Sequence, residues 1–227
     1  KEKTFRINTF GAANIIKAAT TYGGKVIHLS TDFVFDGRKT SSYKPTDKCN
    51  PLNVYGSSKY KSEQLIMKYP NVIILRTSWL YGPIGKNFCL TILNLLERNS
   101  KNHKPLKIVS DQVSCPTSTY SLSSLCWDLI LNEESFMKTP KINHWSDAGI
   151  ASWYDFAVGI AQVAFREGII NSLPEIVPIK SKEFPSIAQR PNFSLLDCED
   201  TCKASKVKRE HWTFELSKVI TKIKSRL

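Results

Sequence analysis

The 227-residue sequence has no long apolar run. Its uninterrupted apolar stretches reach only a few residues, as in VIIL at 72–75, whereas a membrane-spanning helix needs about 20. A membrane protein is therefore not expected. The opening KEKTFRINTF lacks the apolar stretch of a secretory signal. Six cysteines (Cys49, Cys89, Cys115, Cys126, Cys198 and Cys202) are scattered, with no CxxC and no paired histidines nearby. That argues against zinc, and no metal ligands are assigned. It fits buried thiols in a reducing cytoplasm, the expected location. Internal repeats and low-complexity segments are missing too. So is a GxxGxxG turn: Gly11, Gly23, Gly24 and Gly37 do not form one. That turn holds the pyrophosphate in a dinucleotide-binding fold.

At 41% hydrophobic and 23% charged residues, the composition is that of an ordinary globular protein of one or two domains. The formal net charge is +12. The lysines are spread along the chain, and the densest basic stretches, Lys101–Lys107 and Lys203–Arg209, read as solvated surface. Nucleic acid is not the expected partner. A positive field equally suits a small molecule carrying a diphosphate.

The hydrophobic pattern alternates strand and helix. Residues 5–21 read as a helix with Phe10, Ala13 and Ile16 on one face. KVIHLS follows Gly23-Gly24 as a strand. A turn-rich loop leads to a helix over about 54–68, ended by Pro70. NVIILRTSW is a second buried strand, 86–99 a helix, LKIVS a strand and 118–132 a helix. After residue 140, short strands (KINHW, EIVPI, NFSLLD) lie among helices at 152–167 and about 213–225. Such alternation predicts a parallel sheet with helices on its faces.

Three features could carry chemistry. STDFVFDG, at 30–37, ends the KVIHL strand, so Ser30, Thr31 and Asp32 lie at the strand's carboxyl end, where open α/β sheets bind ligands. The same residues also suit a simple turn. In YGSSK, Tyr55 and Lys59 share one helical face. An ammonium near a phenol lowers its pKa and makes it a usable proton donor to a carbonyl. The spacing equally fits a half-buried tyrosine beside a solvated lysine. Arg190 suits a bidentate contact with a diphosphate, or a structural place on the surface. Asp111 and Gln112 could line a rim or cap the next segment. His144 reads as a satisfied core histidine, and Trp153, Tyr154 and Phe156 as helix packing.

STDFVFDG, PLNVYGSSKYKSE and ILRTSWLYG, in that order, resemble the extended short-chain dehydrogenase/reductases, and within them the dTDP-4-dehydrorhamnose reductase family. The resemblance continues through NF at 87–88, DQVSCPT at 111–117, SWYDFA at 152–157, EFPSIAQRPNFSLLD at 183–197 and the late Trp212.

The resemblance implies a Rossmann-like doubly wound parallel sheet with an interleaved smaller α/β substrate lobe. Residues 1–83 and about 105–145 would form the nucleotide-binding part, and about 84–104 and 146–227 the lobe. It implies reduction of the 4-keto group of dTDP-4-dehydro-L-rhamnose with NADPH or NADH, in dTDP-rhamnose biosynthesis. Tyr55 would be the proton donor, Lys59 would lower its pKa and hold the nicotinamide ribose, and Thr31 would orient the carbonyl. Thr31, Asp32, Trp79 and Arg190 would contact the sugar nucleotide. Magnesium enters by resemblance alone, and a homodimer is compatible with it.

Two departures stand out. Phe33 replaces the tyrosine usual after STD, and the first strands with their glycine turn are missing. The chain is thus expected to be a fragment with a weak grip on NAD(P)H. One rival reading is an epimerase or dehydratase of the same superfamily; Phe33, where a dehydratase has a second acid, counts against it. The other is a non-catalytic regulatory subunit, like the beta subunit of methionine adenosyltransferase.

Overall fold

The computed structural model describes residues 1–102, 104–184 and 188–226. His103 of the first basic stretch and residues 185–187 of EFPSIAQRPNFSLLD lie outside the described residues. In chain order the elements begin with α1 (Glu2–Phe5), a π turn (Arg6–Gly11), α2 (Ala12–Thr21), β1 (Val26–Thr31), α3 (Val54–Ile66), β2 (Val72–Thr77) and β3 (Leu80–Tyr81). There follow α4 (Phe88–Asn102), β4 (Leu106–Val109), β5 (Val113–Ser114), β6 (Thr117–Ser118), α5 (Thr119–Leu131), α6 (Glu133–Lys138) and β7 (Ile142–Trp145). Last come β8 (Ala151–Ser152), α7 (Trp153–Arg166), β9 (Ile176–Ile179), α8 (Glu199–Ala204) and α9 (Trp212–Lys224).

The chain forms two compact units. The first comprises Lys1–Ser78, Ser123–Trp145 and Ala188–Lys208; the second comprises Trp79–Leu122, Ser146–Ile187 and Arg209–Leu227. The sequence division groups 105–122 with the first part and 188–208 with the second. The structure groups them the other way. LKIVS explains part of this: β4 pairs in parallel with β9 of EIVPI and does not extend the sheet of the first unit.

The first unit is built on a parallel three-stranded sheet in the order β1-β2-β7. Every residue of β2 is buried, so both faces of the sheet are covered. That is why VIIL reads as a continuous apolar run and not as an alternating one. On one face Val72 and Ile74 pack with Ile16 of α2 and Ile66 of α3. Phe10 does not join them; it is 55% exposed. The π turn over Arg6–Gly11 widens the helical repeat and rotates residues before Ala12 off that face. NFSLLD forms no strand. It bridges Tyr43 through Leu196, flanked by two backbone hydrogen bonds to Tyr43.

Among the described residues, the second unit has three two-stranded ladders, β3-β6, β4-β9 and β5-β8, with α4, α7 and α9. Its core is aromatic. Phe156 of α7 meets Tyr81, Phe88 and Trp212 with centroids 5.0, 5.5 and 5.9 Å apart. A capping box opens α7: Ser152 accepts from the Asp155 amide, and the Asp155 carboxylate accepts from the Ser152 amide. In the middle of α7, a Cβ on Gly159 would lie 2.9 Å from the Trp212 ring, so this glycine permits the close approach of α9.

Candidate active site

The three strands of the first unit end together: Thr31 is level with Thr77, and Thr77 with Trp145. The turn Asp32–Val34 follows β1, capped by the Thr31 hydroxyl, which accepts from the Phe33 amide at 3.2 Å. The Asp32 side chain points inward. It is 2% exposed, with Ser194 donating to Oδ2 at 2.6 Å and Thr31 to Oδ1 at 3.2 Å. Burial raises its pKa to about 6 against those two hydrogen bonds.

α3 begins where Asn53 accepts from the Gly56 amide at 2.8 Å. The Asn53 side chain also donates to the Gln189 carbonyl at 2.8 Å, tying the stretch before Arg190 to the helix N-terminus. Gly56 is required by contact: a Cβ there would sit 2.1 Å from the Phe33 carbonyl oxygen. The first turn of α3 therefore lies directly on the turn that follows β1. This brings Tyr55 close enough to Thr31 and Asp32 for both to act on the phenol. Tyr55 is 46% exposed, so a ligand can reach it.

The Tyr55 phenol is pushed above its ordinary pKa by burial and by the Asp32 charge, which outweigh the lowering effect of the Thr31 side chain. The sequence expectation was the reverse, a phenol lowered by Lys59. The reason for the difference is where the ammonium goes. Lys59 Nζ donates to the Leu29 carbonyl of β1 at 2.6 Å and lies 3.4 Å from His28 Nε2. Burial lowers the Lys59 pKa, and Glu63 raises it. An ammonium has three donors, and two are directed at β1.

Phe33 packs edge-on against Tyr55, centroids 6.0 Å apart, and the Arg190 guanidinium lies 5.9 Å from the Phe33 ring. Thr31, Asp32, Tyr55, Lys59 and Arg190 thus share one unit. Trp79 does not; it belongs to the second. There its backbone adopts a left-handed conformation, φ 46°, and its ring stacks on Trp153 at 3.5 Å. Trp153 therefore packs against a candidate site residue and donates to Gln112 at 3.2 Å. Asp111 holds the Ser181 amide at 2.8 Å, a structural contact. His144 is buried, with Nδ1 3.0 Å from the Tyr43 carbonyl oxygen.

The sequence reading missed Glu63, Arg76, His28, Ser194 and Thr77. Glu63 and Arg76 form a fully buried ion pair at 2.7 Å. The Thr77 hydroxyl is buried and has no hydrogen-bond partner. The available signal was polar residues at helical spacing on α3 and a single arginine within an apolar strand. Among the described residues no group of three or more His, Cys, Asp or Glu side chains gathers to hold a metal ion, and none is assigned to magnesium. No helix among them is long and apolar enough to cross a membrane.

The profile of the family "RmlD substrate binding domain" matches residues 1–225. A dTDP-4-dehydrorhamnose reductase of Aggregatibacter actinomycetemcomitans is 35% identical over 220 residues, covering 95% of this chain and 72% of the relative. The crystal structure of a dTDP-4-dehydrorhamnose reductase from Clostridium acetobutylicum superposes with a TM-score of 0.85 at 34% identity, over 99% of this chain and 76% of that one. A Bacillus anthracis dTDP-4-dehydrorhamnose reductase, solved in complex with NADP, gives 0.82 at 30% identity, over 95% and 71%.

Proposed function

The chain belongs to the RmlD substrate-binding-domain family, that of the dTDP-4-dehydrorhamnose reductases, and from that premise we propose how its residues reduce a nucleotide-linked 4-keto sugar. The reaction is conversion of dTDP-4-dehydro-L-rhamnose to dTDP-L-rhamnose, an oxidoreductase step of dTDP-rhamnose biosynthesis. The carbonyl carbon gains a hydride, and the carbonyl oxygen gains a proton.

One observation carries the assignment of roles: the first turn of α3, which bears Tyr55, rests on the turn that follows Thr31, with Lys59 fastened to the same strand. Tyr55 gives its Oη proton to the carbonyl oxygen. The phenol is protonated at neutral pH, but its raised pKa makes it a weaker acid, so the transfer is driven by the strongly basic alkoxide that forms as hydride arrives. Thr31 steadies the same oxygen by turning its single hydroxyl proton from Asp32 to the substrate. Asp32 accepts the Thr31 proton until substrate takes it, and its negative charge favours the protonated phenol.

The donor set fits a nicotinamide cofactor: Lys59 keeps an N–H for a ribose hydroxyl, and Tyr55 lies one turn away on the same face. When bound, NADPH or NADH supplies the hydride. Arg190, on the rim beside Phe33, suits the diphosphate of the substrate, and Trp79 offers a flat face to its sugar. We place the first unit's sheet in the nucleotide-binding part and the second unit in the substrate part. A homodimer acting in the cytoplasm is compatible with this reading.

Tyr55→Phe tests it. The change removes the transferable proton and leaves the ring, so turnover of the dTDP-4-keto sugar should fall ~10²–10⁴-fold while substrate binding survives. Wild-type turnover by a folded Tyr55→Phe protein would refute the role.

A further inference from the structure

Ahead of Ile66, the inner face of α3 is polar. It presents Ser58, Ser62 and Glu63, all fully buried. Glu63 lies one turn beyond Lys59, on the same side of the helix. Its carboxylate is fixed from two strands. Ser30 of β1 donates to Oε1 at 2.5 Å. Arg76 of β2 donates from Nε to Oε1 at 3.0 Å and from Nη2 to Oε2 at 2.7 Å. Arg76 is fixed in turn by the Pro45 carbonyl at 3.2 Å and Cys49 Sγ at 3.3 Å, with His144 Nε2 3.4 Å away. One carboxylate thus ties the helix bearing Tyr55 and Lys59 to the residue before Thr31 on β1 and to the residue before Thr77 on β2. Stability alone does not call for this device, since a well-packed apolar pair serves as well or better at such a position.

We propose that Glu63 is a positioning residue for the reduction, seating α3 on β1 at a fixed depth and serving as the fixed negative charge beside the Lys59 ammonium. The proposal rests on the roles given above to Tyr55 and Lys59. Other charged or titratable groups here do not supply that charge: Asp32, just after β1, acts on Tyr55 and not on Lys59. His28 of β1 is held neutral, its pKa lowered to about 4 by burial and by Lys59 itself. Arg76 of β2 is positive. His144 of β7, behind Arg76, is lowered to about 3 by burial and by the guanidinium. Cys49 is raised to about 11 by burial and is a neutral thiol. Within α3, burial works against the charge on Lys59 and Glu63 works for it.

The test separates charge from packing. Glu63→Gln keeps the shape and the acceptor for Ser30 but removes the charge. Ser30→Ala removes one hydrogen bond and keeps the charge. The titration of Lys59 is read directly by NMR of the ¹³C-dimethylated protein, its signal identified by its loss in Lys59→Met. The pH profile of kcat/KM with NADPH and the dTDP-4-keto sugar is recorded beside it. Glu63→Gln should move the Lys59 titration, and the alkaline limb of kcat/KM with it, down by about one pH unit. Ser30→Ala should leave the titration in place. If Glu63→Gln fails to fold with Arg76 unpaired, Glu63→Gln/Arg76→Gln removes both buried charges and is read in the same way. An unmoved titration in Glu63→Gln, or in the double variant, overturns the proposal. Full turnover in Lys59→Met would instead overturn the assignment of Lys59 itself; an inactive Lys59→Met beside an unmoved Glu63→Gln would sink this inference alone.

Discussion

The two units bury different things. The first buries charge: Glu63 and Arg76 in its interior, with His28, His144 and Asp32 nearby, all at 9% exposure or less. The second buries rings, with Phe156 surrounded by Tyr81, Phe88 and Trp212. Its buried carboxylates are Asp147, which accepts from the Ser118 amide at 2.9 Å, and Glu215, paired with Lys218 at 2.5 Å. The polar interior lies under Tyr55 and Lys59. An aromatic interior stabilises by area and ring geometry and tolerates small shifts. A buried ion pair gains nothing comparable, but it fixes direction, since a bidentate guanidinium–carboxylate contact has one good geometry. The contrast says that the first unit is organised to hold a few side chains in place and the second to hold together.

The strongest way to break this contrast is to unpair the buried charges. Arg76→Met leaves Glu63 buried without its cation and should destabilise the protein by ~3–5 kcal/mol. Glu63→Leu with Arg76→Met should restore most of that loss, because the pair is replaced by apolar contacts in a buried site. Urea denaturation of the three proteins decides it. If the double variant is as unstable as Arg76→Met, the pair is a stability device and the contrast with the second unit fails.

The next effect is a pH dependence in the first unit. The Asp32 pKa is raised to about 6 by burial, above its ordinary value of 3.8. A raised carboxylate binds its proton more tightly in the folded state, so its stabilising contribution is full below about pH 3.8 and is lost as pH rises through about 6. Two units correspond to roughly 3 kcal/mol. Asp32→Asn cannot ionise and still accepts from Ser194. It should match the wild type at pH 4 and exceed it in stability at pH 8. His28 and His144 titrate in both proteins and cancel in the difference. Equal stability at both pH values would mean that Asp32 is better solvated than its burial implies.

The fold was legible where residues repeat with a simple period. VIIL, KVIHLS and the helix from Trp153 stand out because burial selects apolar side chains at spacings that a reader can count. The assignment of LKIVS was not legible. A short apolar strand pairs with any exposed edge, and pairing with β9 across some seventy residues leaves no local mark. NFSLLD has the right residues for a strand but meets Tyr43 at a bridge. The candidates Tyr55, Lys59, Thr31 and Asp32 came from ordered motifs, since the spacing of Tyr55 and Lys59 alone decided nothing. Glu63 and Arg76 were passed over for a physical reason: charged residues are normally solvated, so sequence reading places them outside unless a partner is known. The direction of the Lys59 side chain was equally hidden, because its acceptor is a backbone carbonyl and carries no sequence signal.

The smallest effect lies in the second unit, at Gly159, and its sign sharpens the contrast. Replacing a mid-helix glycine with alanine ordinarily stabilises by ~1 kcal/mol through helix propensity. Here the added Cβ would lie 2.9 and 3.0 Å from two carbons of the Trp212 ring and 3.4 Å from Leu216 Cδ2. Overpacking costs ~1–3 kcal/mol when the neighbour cannot yield. The Trp212 ring is rigid and 7% exposed, with Phe156 across from it and a Gly149 Cβ position only 2.8 Å from its Cδ1. We therefore expect the overpacking to win, and Gly159→Ala to destabilise by about 1 kcal/mol net. Thermal or urea denaturation reads the sign. A stabilised Gly159→Ala protein would show that α9 can slide along α7 at little cost. The aromatic unit would then be the plastic half of the molecule, and the polar layer around Glu63 the rigid one.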